Sequence, residues 1–445
     1  MQKQEPAQAS LAAVVAASTI GCTIEWYDFF LYGVFASLVF NKLFFPTFDP
    51  IVGTLIAYTT FAVGFVARPV GGLIFGHFGD RLGRKGVLIA TLIIMGVATF
   101  AIGLLPTYRQ LGPWAAILLL FLRLLQGIGV GGEWGGAVLM ATEYSPKGKR
   151  GFFGSMPQAG LSAGLFLSTA VVALLTRMPE AQFLAWGWRI AFLISAILVA
   201  LGIYIRSRIA ETPVFQRVVA TEGVVSVPFF ELIRTSGRQI VLGMGARYAE
   251  GVAFNTYAVF AIAYLANVLK FPRGVVLWAV AVASLVMLVF IPIAGRLSDR
   301  YGRRRVYGLG TVAMGVVSVP AFLVMNATQQ PALIWLAIIV PLGVLYPLMY
   351  GPEASLFAEL FDPRVRYSGV SFVYQFSGIF SSGLTPLILT YLLAKGGNQP
   401  GLIVVYVAFT CAISLLSVLL MRDARDMHRE TDATLAGSAA PVQPA

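Results

Sequence analysis

A chain of 445 residues in which 58% are hydrophobic and only 12% charged, with a mean hydropathy of +0.80, cannot cover a water-facing surface, since a soluble domain carries roughly 25% charged residues. Its solvent is expected to be lipid, and its structural unit the apolar span of roughly 20 residues. The net charge of +12 reads as basic connections held on the cytoplasmic side and not as a nucleic-acid surface, because no basic run is interleaved with stacking aromatics. Two cysteines in apolar runs and two histidines give no material for a disulfide framework, a metal cluster or histidine-based catalysis. No cofactor, no metal and no enzymatic activity are expected.

In chain order, apolar segments run over about 12–40, 52–76, 86–106, 112–141, 153–175, 187–206, 239–267, 274–296, 306–326, 331–358, 368–393 and 401–421, each continuous as in a helix. A membrane β-barrel would alternate instead. The expected fold is an all-α membrane protein of twelve transmembrane helices in two six-helix bundles. The first segment is too long for a signal peptide and reads as a retained span. It contains "TIEWYDFFLYG" (23–33), where Glu25 and Asp28 share a helix face with Gly21 and Tyr32. Two carboxylates so close rarely ionise together, so at least one is a candidate proton carrier. The alternative is that either neutralises Arg68 in the second segment or Arg123 in the fourth.

The fourth segment reads "RLLQGIGVGGEWGG" (123–136). Arg123 keeps its charge at any accessible pH, so it can hold a carboxylate or tune a neighbouring acid but cannot itself carry a proton. Glu133 is a rival proton carrier, and Gly127, Gly131 and Gly135 are spaced for close helix packing. Ionisable groups inside lipid face the bundle interior. Substrate-binding candidates are therefore Tyr32, Arg68, Arg123, Gln158, Arg247, Glu250, Asn255, Tyr257, Tyr350, Glu353, Tyr374 and Gln375. Of these, Arg247 and Glu250 can pair along one helix at i, i+3.

The chain repeats. "GHFGDRLGRK" (76–85) after the second segment aligns without gaps with "GRLSDRYGRR" (295–304) after the eighth, 219 positions on. Glu143, Pro146 and Arg150 match Glu359, Pro363 and Arg366; Glu133 matches Glu353, and Gln158 matches Gln375 at nearly the same shift. A duplication gives a bundle over 1–206, a cytoplasmic connection over 207–238, a second bundle over 239–421 and a disordered tail over 422–445. The doubled loop reads as a cytoplasmic gate built from Gly76, Asp80, Arg81, Gly83, Arg84, Glu143, Arg150, Asp299, Arg300, Arg303, Glu359 and Arg366, in which the acids pair with arginines or with a helix end of the opposite half. Lys and Arg concentrate in alternate connections, which puts both termini in the cytoplasm.

These residues carry a resemblance. The doubled loop resembles the signature of the major facilitator superfamily, and "RLLQGIGVGGEWGG" resembles the fourth-helix motif of its proton-coupled members. "EWYDFFLYG", "ARPVGGLIFGHFGDRLGRK" and "GGEWGGAVLMATEYSP" look like its metabolite:proton symporter family, whose carriers take shikimate, 2-oxoglutarate, citrate or proline/betaine. The "WYDFFLYG" stretch, the Arg247–Glu250 pair and "GRRRVY" are most similar to the shikimate type. The resemblance implies proton-coupled uptake of a small organic acid across the inner membrane by alternating access, with the Arg123 position associated with coupling. A carrier of a zwitterionic osmolyte and a proton-antiport exporter are the alternatives. Its implied partners are a small carboxylate, the proton and the lipid bilayer, with no nucleic acid, and the expected state is a monomer.

Overall fold

The computed structural model describes residues 11–82, 84–131, 134–143, 145–146, 148–207, 229–361 and 366–421. The longer helices are α1 Leu11–Phe35, α2 Pro50–Leu82, α3 Arg84–Leu104, α4 Pro113–Gly131, α5 Trp134–Glu143, α6 Arg150–Leu175, α7 Trp188–Ser207, α8 Phe229–Asn255, α9 Arg273–Tyr301, α10 Arg303–Ala327, α11 Pro331–Ile338, α12 Tyr346–Leu360, α13 Arg366–Gly378, α14 Thr385–Lys395 and α15 Gly401–Leu420. There are no strands among the described residues. Lipid offers no hydrogen bonds to a backbone, so a spanning segment satisfies its own peptide groups as a helix.

Ten helical stretches among the described residues are long and apolar enough to cross a membrane. The other two segments read as spans, 12–40 and 86–106, are helical as well: α1 runs on through a π-turn at Ala36–Phe40, and α3 covers the other. One boundary differs from expectation. The stretch 207–238 reads as a polar connection, yet α8 begins at Phe229 and bends at Ser236, where φ is −125° and ψ is 21°. Hydropathy marks the part of a helix that lipid covers, and a helix needs no apolar side chains to continue beyond it.

One contact dominates how the helices before residue 207 meet those after 228. α6 packs along α9, and Gly151 and Gly295 make the approach possible. A Cβ on Gly151 would strike the Gly295 carbonyl, and a Cβ on Gly295 would strike the Gly151 carbonyl and the Ser155 side chain. At this end of the bundle both carboxylate oxygens of Asp299 accept hydrogen bonds from the first backbone N–H groups of α6, Gly151 at 2.8 Å and Phe152 at 2.9 Å. A carboxylate is favoured at that position by the helix dipole and by the unpaired N–H groups there. Gly302, at φ 95°, turns the chain from α9 into α10. Arg303 then lies 3.6 Å from Asp299 and 3.0 Å from Glu359. Arg300 lies over the Tyr301 ring, and Arg150 is exposed. The side chains of Gly76, Asp80, Arg81, Gly83, Arg84, Glu143 and Arg366 lie outside the described residues.

At the opposite end Glu180, just beyond α6, accepts from Lys42 at 2.9 Å and from Arg273, the first residue of α9, at 3.2 Å. Both ends of the α6–α9 contact are thus tied in this one conformation.

Candidate functional site

The centre of the molecule is built on one aromatic ring. Phe29 of α1 carries the Arg68 guanidinium of α2 over it at 4.1 Å and the Arg123 guanidinium of α4 at 4.0 Å. Arg68 also lies over Phe65 and Trp26, and Arg123 over Tyr32 and Phe61. Both arginines are buried, at 1% and 0% exposure. Aromatic faces compensate a cation by about 0.5–2 kcal/mol each, which is less than an ion pair gives. Among the described residues neither guanidinium has a carboxylate partner, and Arg68 Nε and Nη2 and Arg123 Nε have no hydrogen-bond acceptor.

Gly64 makes room for this arrangement, since a Cβ there would lie 2.5 Å from Arg123 Nε. Gly64→Ala is therefore expected to displace the guanidinium, and any anion that Arg123 holds is expected to bind about tenfold more weakly, roughly one lost charged hydrogen bond. Thermal-shift titration of the purified variant with a panel of organic acids and osmolytes checks it.

From Arg123 a polar chain leads away from the ring. Arg123 Nη1 donates to Gln126 Oε1 at 3.0 Å, and Gln126 Nε2 donates to the Thr99 hydroxyl at 2.7 Å. Asp28 lies beside the Thr99 and Ser195 hydroxyls. Neither completes a hydrogen bond to it; the Thr99 proton is already given to the Met95 carbonyl at 2.9 Å. Asp28 is 1% exposed and forms no ion pair among the described residues.

Asp28 thus turns toward α3 and α7 of its own half, while Phe30 of the same helix reaches across, 5.2 Å from Phe254. Helical spacing fixes which residues share a face and leaves open which way that face points. Nor does Asp28 pair with Arg68 or Arg123, as the alternative would have it. Glu25 is buried at 5%, and Tyr32 donates to Thr60 at 2.7 Å. Glu133 lies outside the described residues.

On the other side Arg247 of α8 pairs with two carboxylates, with Nε 3.6 Å from Glu250 and 3.4 Å from Glu353 of α12. Its Nη1 donates to the Ser377 and Ser381 hydroxyls, and its guanidinium lies 3.7 Å over the Tyr374 ring. Tyr374 in turn stacks on Trp134 of α5 at 3.5 Å. Two amides tie the halves by a reciprocal pair of bonds. Gln158 of α6 donates to the Tyr350 carbonyl at 2.6 Å, and Gln375 of α13 donates to the Gly131 carbonyl at 2.9 Å.

The sequence candidates thus divide. Arg68, Arg123 and Tyr32 surround Phe29, while Arg247, Glu250, Glu353 and Tyr374 form a second cluster across from them. Asn255 donates within its own helix to Gly251, and Tyr257 donates to Ser318 of α10. Phe29, Gln126, Thr99, Ser195 and Trp134 were missed as site residues. Gln126 alone had a signal, since at i+3 from Arg123 on one helix it is placed to meet it.

Residues 13–223 match the family model described as sugar (and other) transporter, and residues 249–443 match the major facilitator superfamily model. The inner membrane metabolite transport protein YhjE of Escherichia coli is 38% identical over 93% of this chain and 94% of its own length. The shikimate transporter of the same organism is 38% identical over 92% and 94%, and its proline/betaine transporter is 37% identical over 87% and 79%. A D-xylose–proton symporter crystal structure superposes with a TM-score of 0.72 at 18% identity, covering 94% of this chain and 99% of the other, a likeness of fold. The chain is a multi-pass inner-membrane transporter of the major facilitator superfamily, from the branch that holds the shikimate and proline/betaine transporters.

Proposed function

We propose that the protein takes up a small organic acid, of the shikimate or 2-oxoglutarate class, together with protons. The observation that carries this reading is the pair of buried guanidiniums around Phe29 without a carboxylate partner among the described residues. A buried charge left uncompensated costs several kcal/mol, and an anionic substrate bridging Arg68 and Arg123 supplies the compensation. A zwitterion brings its own cation and has less use for two. The shikimate transporter among the relatives supports the substrate class.

Asp28 is the coupling acid best supported. A buried carboxylate with no cation beside it is stable as the neutral acid, and the chain from Arg123 through Gln126 ends at Thr99, beside Asp28. Glu25 and Glu133 are the other candidates. In the cycle, residues 1–206 and 239–421 rock as two six-helix bundles about the central site, with both termini and the Asp299 latch on the cytoplasmic side. The protein works as a monomer with the proton as coupling ion and no cofactor. One proton moving through about 150 mV supplies about 3.5 kcal/mol, enough for several hundred-fold accumulation.

Proteoliposomes with an imposed inward pH gradient are expected to concentrate labelled shikimate or 2-oxoglutarate, and Asp28→Asn to retain exchange while losing accumulation. Uptake indifferent to both pH gradient and voltage would end the symport reading. Preferential uptake of betaine or proline would move the substrate class.

A further inference from the structure

The Arg247 cluster holds an imbalance that substrate binding at Phe29 does not address. One guanidinium faces two carboxylates, all three residues are at most 3% exposed, and no other cation pairs with either acid among the described residues. The two acids are not equally served. Glu250 receives a short hydrogen bond from the Tyr346 hydroxyl on one oxygen and faces Arg247 with the other. Glu353 has only the 3.4 Å approach of Arg247 Nε to Oε1. No hydrogen bond reaches either of its oxygens. Arg247 Nη1 is directed elsewhere, at Ser377 and Ser381.

Among the described residues, the remaining titratable groups that feel Glu353 are phenols: Tyr307 of α10, Tyr346 and Tyr350 of its own helix, and Tyr374 of α13. The Tyr307 hydroxyl donates to the Ala246 carbonyl at 2.9 Å, and the Tyr346 hydroxyl to Glu250. From the facing half Arg68 comes close enough to feel Arg247, Tyr350 and Tyr374. Among the described residues a second net negative charge has no counterion in this shell, and burying it uncompensated costs several kcal/mol.

We propose that the Glu250–Glu353 pair is a proton-binding site distinct from Asp28, with the proton on Glu353 Oε2. Loss of that proton leaves two full carboxylates competing for Arg247 and pulls it from the Tyr374 ring, which stacks on Trp134 of the other half. Protonation at Glu353 is thereby tied to a contact between the halves. Its part in transport rests on the proton-coupled reading above, whereas the protonation itself does not.

Infrared spectroscopy of the lipid-reconstituted protein at neutral pH tests it, with glutamate carboxyl carbons isotopically labelled so that glutamic and aspartic acid bands separate. A protonated glutamic acid carbonyl band is expected in the wild type, lost in Glu353→Gln and retained in Asp28→Asn. A labelled wild type with no such band, or a Glu353→Gln protein that keeps it, overturns the proposal. So does a band that sodium ions abolish, since the site would then be a metal-cation site. Glu25→Gln and Glu133→Gln are expected to keep the band, which assigns it even if Glu353→Gln fails to fold; its loss in either of them overturns the proposal. In transport, Glu353→Gln is expected to lose about tenfold of shikimate accumulation per unit of imposed pH gradient, the worth of one proton. If the wild type takes up neither shikimate nor 2-oxoglutarate, the substrate reading fails while the spectrum still decides the site.

Discussion

Replacing Arg123 or Arg68 by lysine is expected to weaken binding of an organic anion by about 10- to 150-fold, measured by counterflow of labelled shikimate in proteoliposomes. The positive charge survives either substitution, so the loss isolates geometry. Arginine presents a planar fork of five donors, and its delocalised cation stacks on aromatic faces. Lysine has no Nε–H at the corresponding point and a strongly hydrated ammonium that sits poorly against Phe29. The Nε and Nη2 donors of Arg68 and the Nε of Arg123 are the groups without acceptors, and each charged hydrogen bond contributes about 1.5–3 kcal/mol, which sets the range. Unchanged affinity in both variants would remove the guanidinium pair as the anion site. Loss in Arg123→Lys alone would make Arg68 a helix-packing residue held by Trp26, Phe29 and Phe65.

The second large effect is expected at the opposite level of the bundle. Asp299→Asn keeps one carbonyl acceptor for the N-terminus of α6 and loses the charge, one of the two hydrogen bonds and the pairing with Arg303. Charge-assisted bonds of this kind are about twice as strong as neutral ones, so a shift of about 2–3 kcal/mol away from the latched arrangement follows, or roughly 30- to 150-fold in the equilibrium between open and closed. Ser155 is buried at this contact, beside Gly295. A Ser155→Cys reporter should therefore react with an aqueous maleimide much faster in the Asp299→Asn background than in the parent. Equal rates would mean that glycine packing between α6 and α9 holds the end closed without the carboxylate.

Much of this was legible from the residues themselves. Continuous apolar runs dictated helices because lipid leaves the backbone no other partner. The internal repeat matched Gln158, read as a substrate-binding candidate, with Gln375 at nearly the same shift as the other pairs, and in the structure each donates to a backbone carbonyl of the opposite half. The Arg247–Glu250 pair followed from helical spacing alone. The direction in which a helix face points was beyond reach. The same spacing that groups Glu25, Asp28 and Tyr32 is silent on whether they face α3 and α7 or the other half. Phe29 looked like one aromatic among many, because what distinguishes it is two arginines from two other helices. Glu180 reads as a loop acid until α6 and α9 bring Lys42 and Arg273 to it. Contacts between distant elements leave no local pattern to read.

The reciprocal amide bonds have a consequence for how such a molecule divides its energy between shapes. An equilibrium between two conformations responds only to interactions that differ between them. A glutamine side chain has three soft torsions, and the carbonyl it meets has two lone pairs, so a modest tilt of one helix against the other leaves the bond intact. Gln158 lies eight residues into α6, about 12 Å along the helix from Arg150. It sits well inside the bundle, whereas the Asp299 and Glu180 ties lie at its extremities, where the same angular swing produces the largest displacement. Bonds near a pivot hold the assembly together without favouring either direction, and bonds at the rim choose between directions. Cohesion and bias are thus assigned to separate residues, and a substitution can alter one without the other.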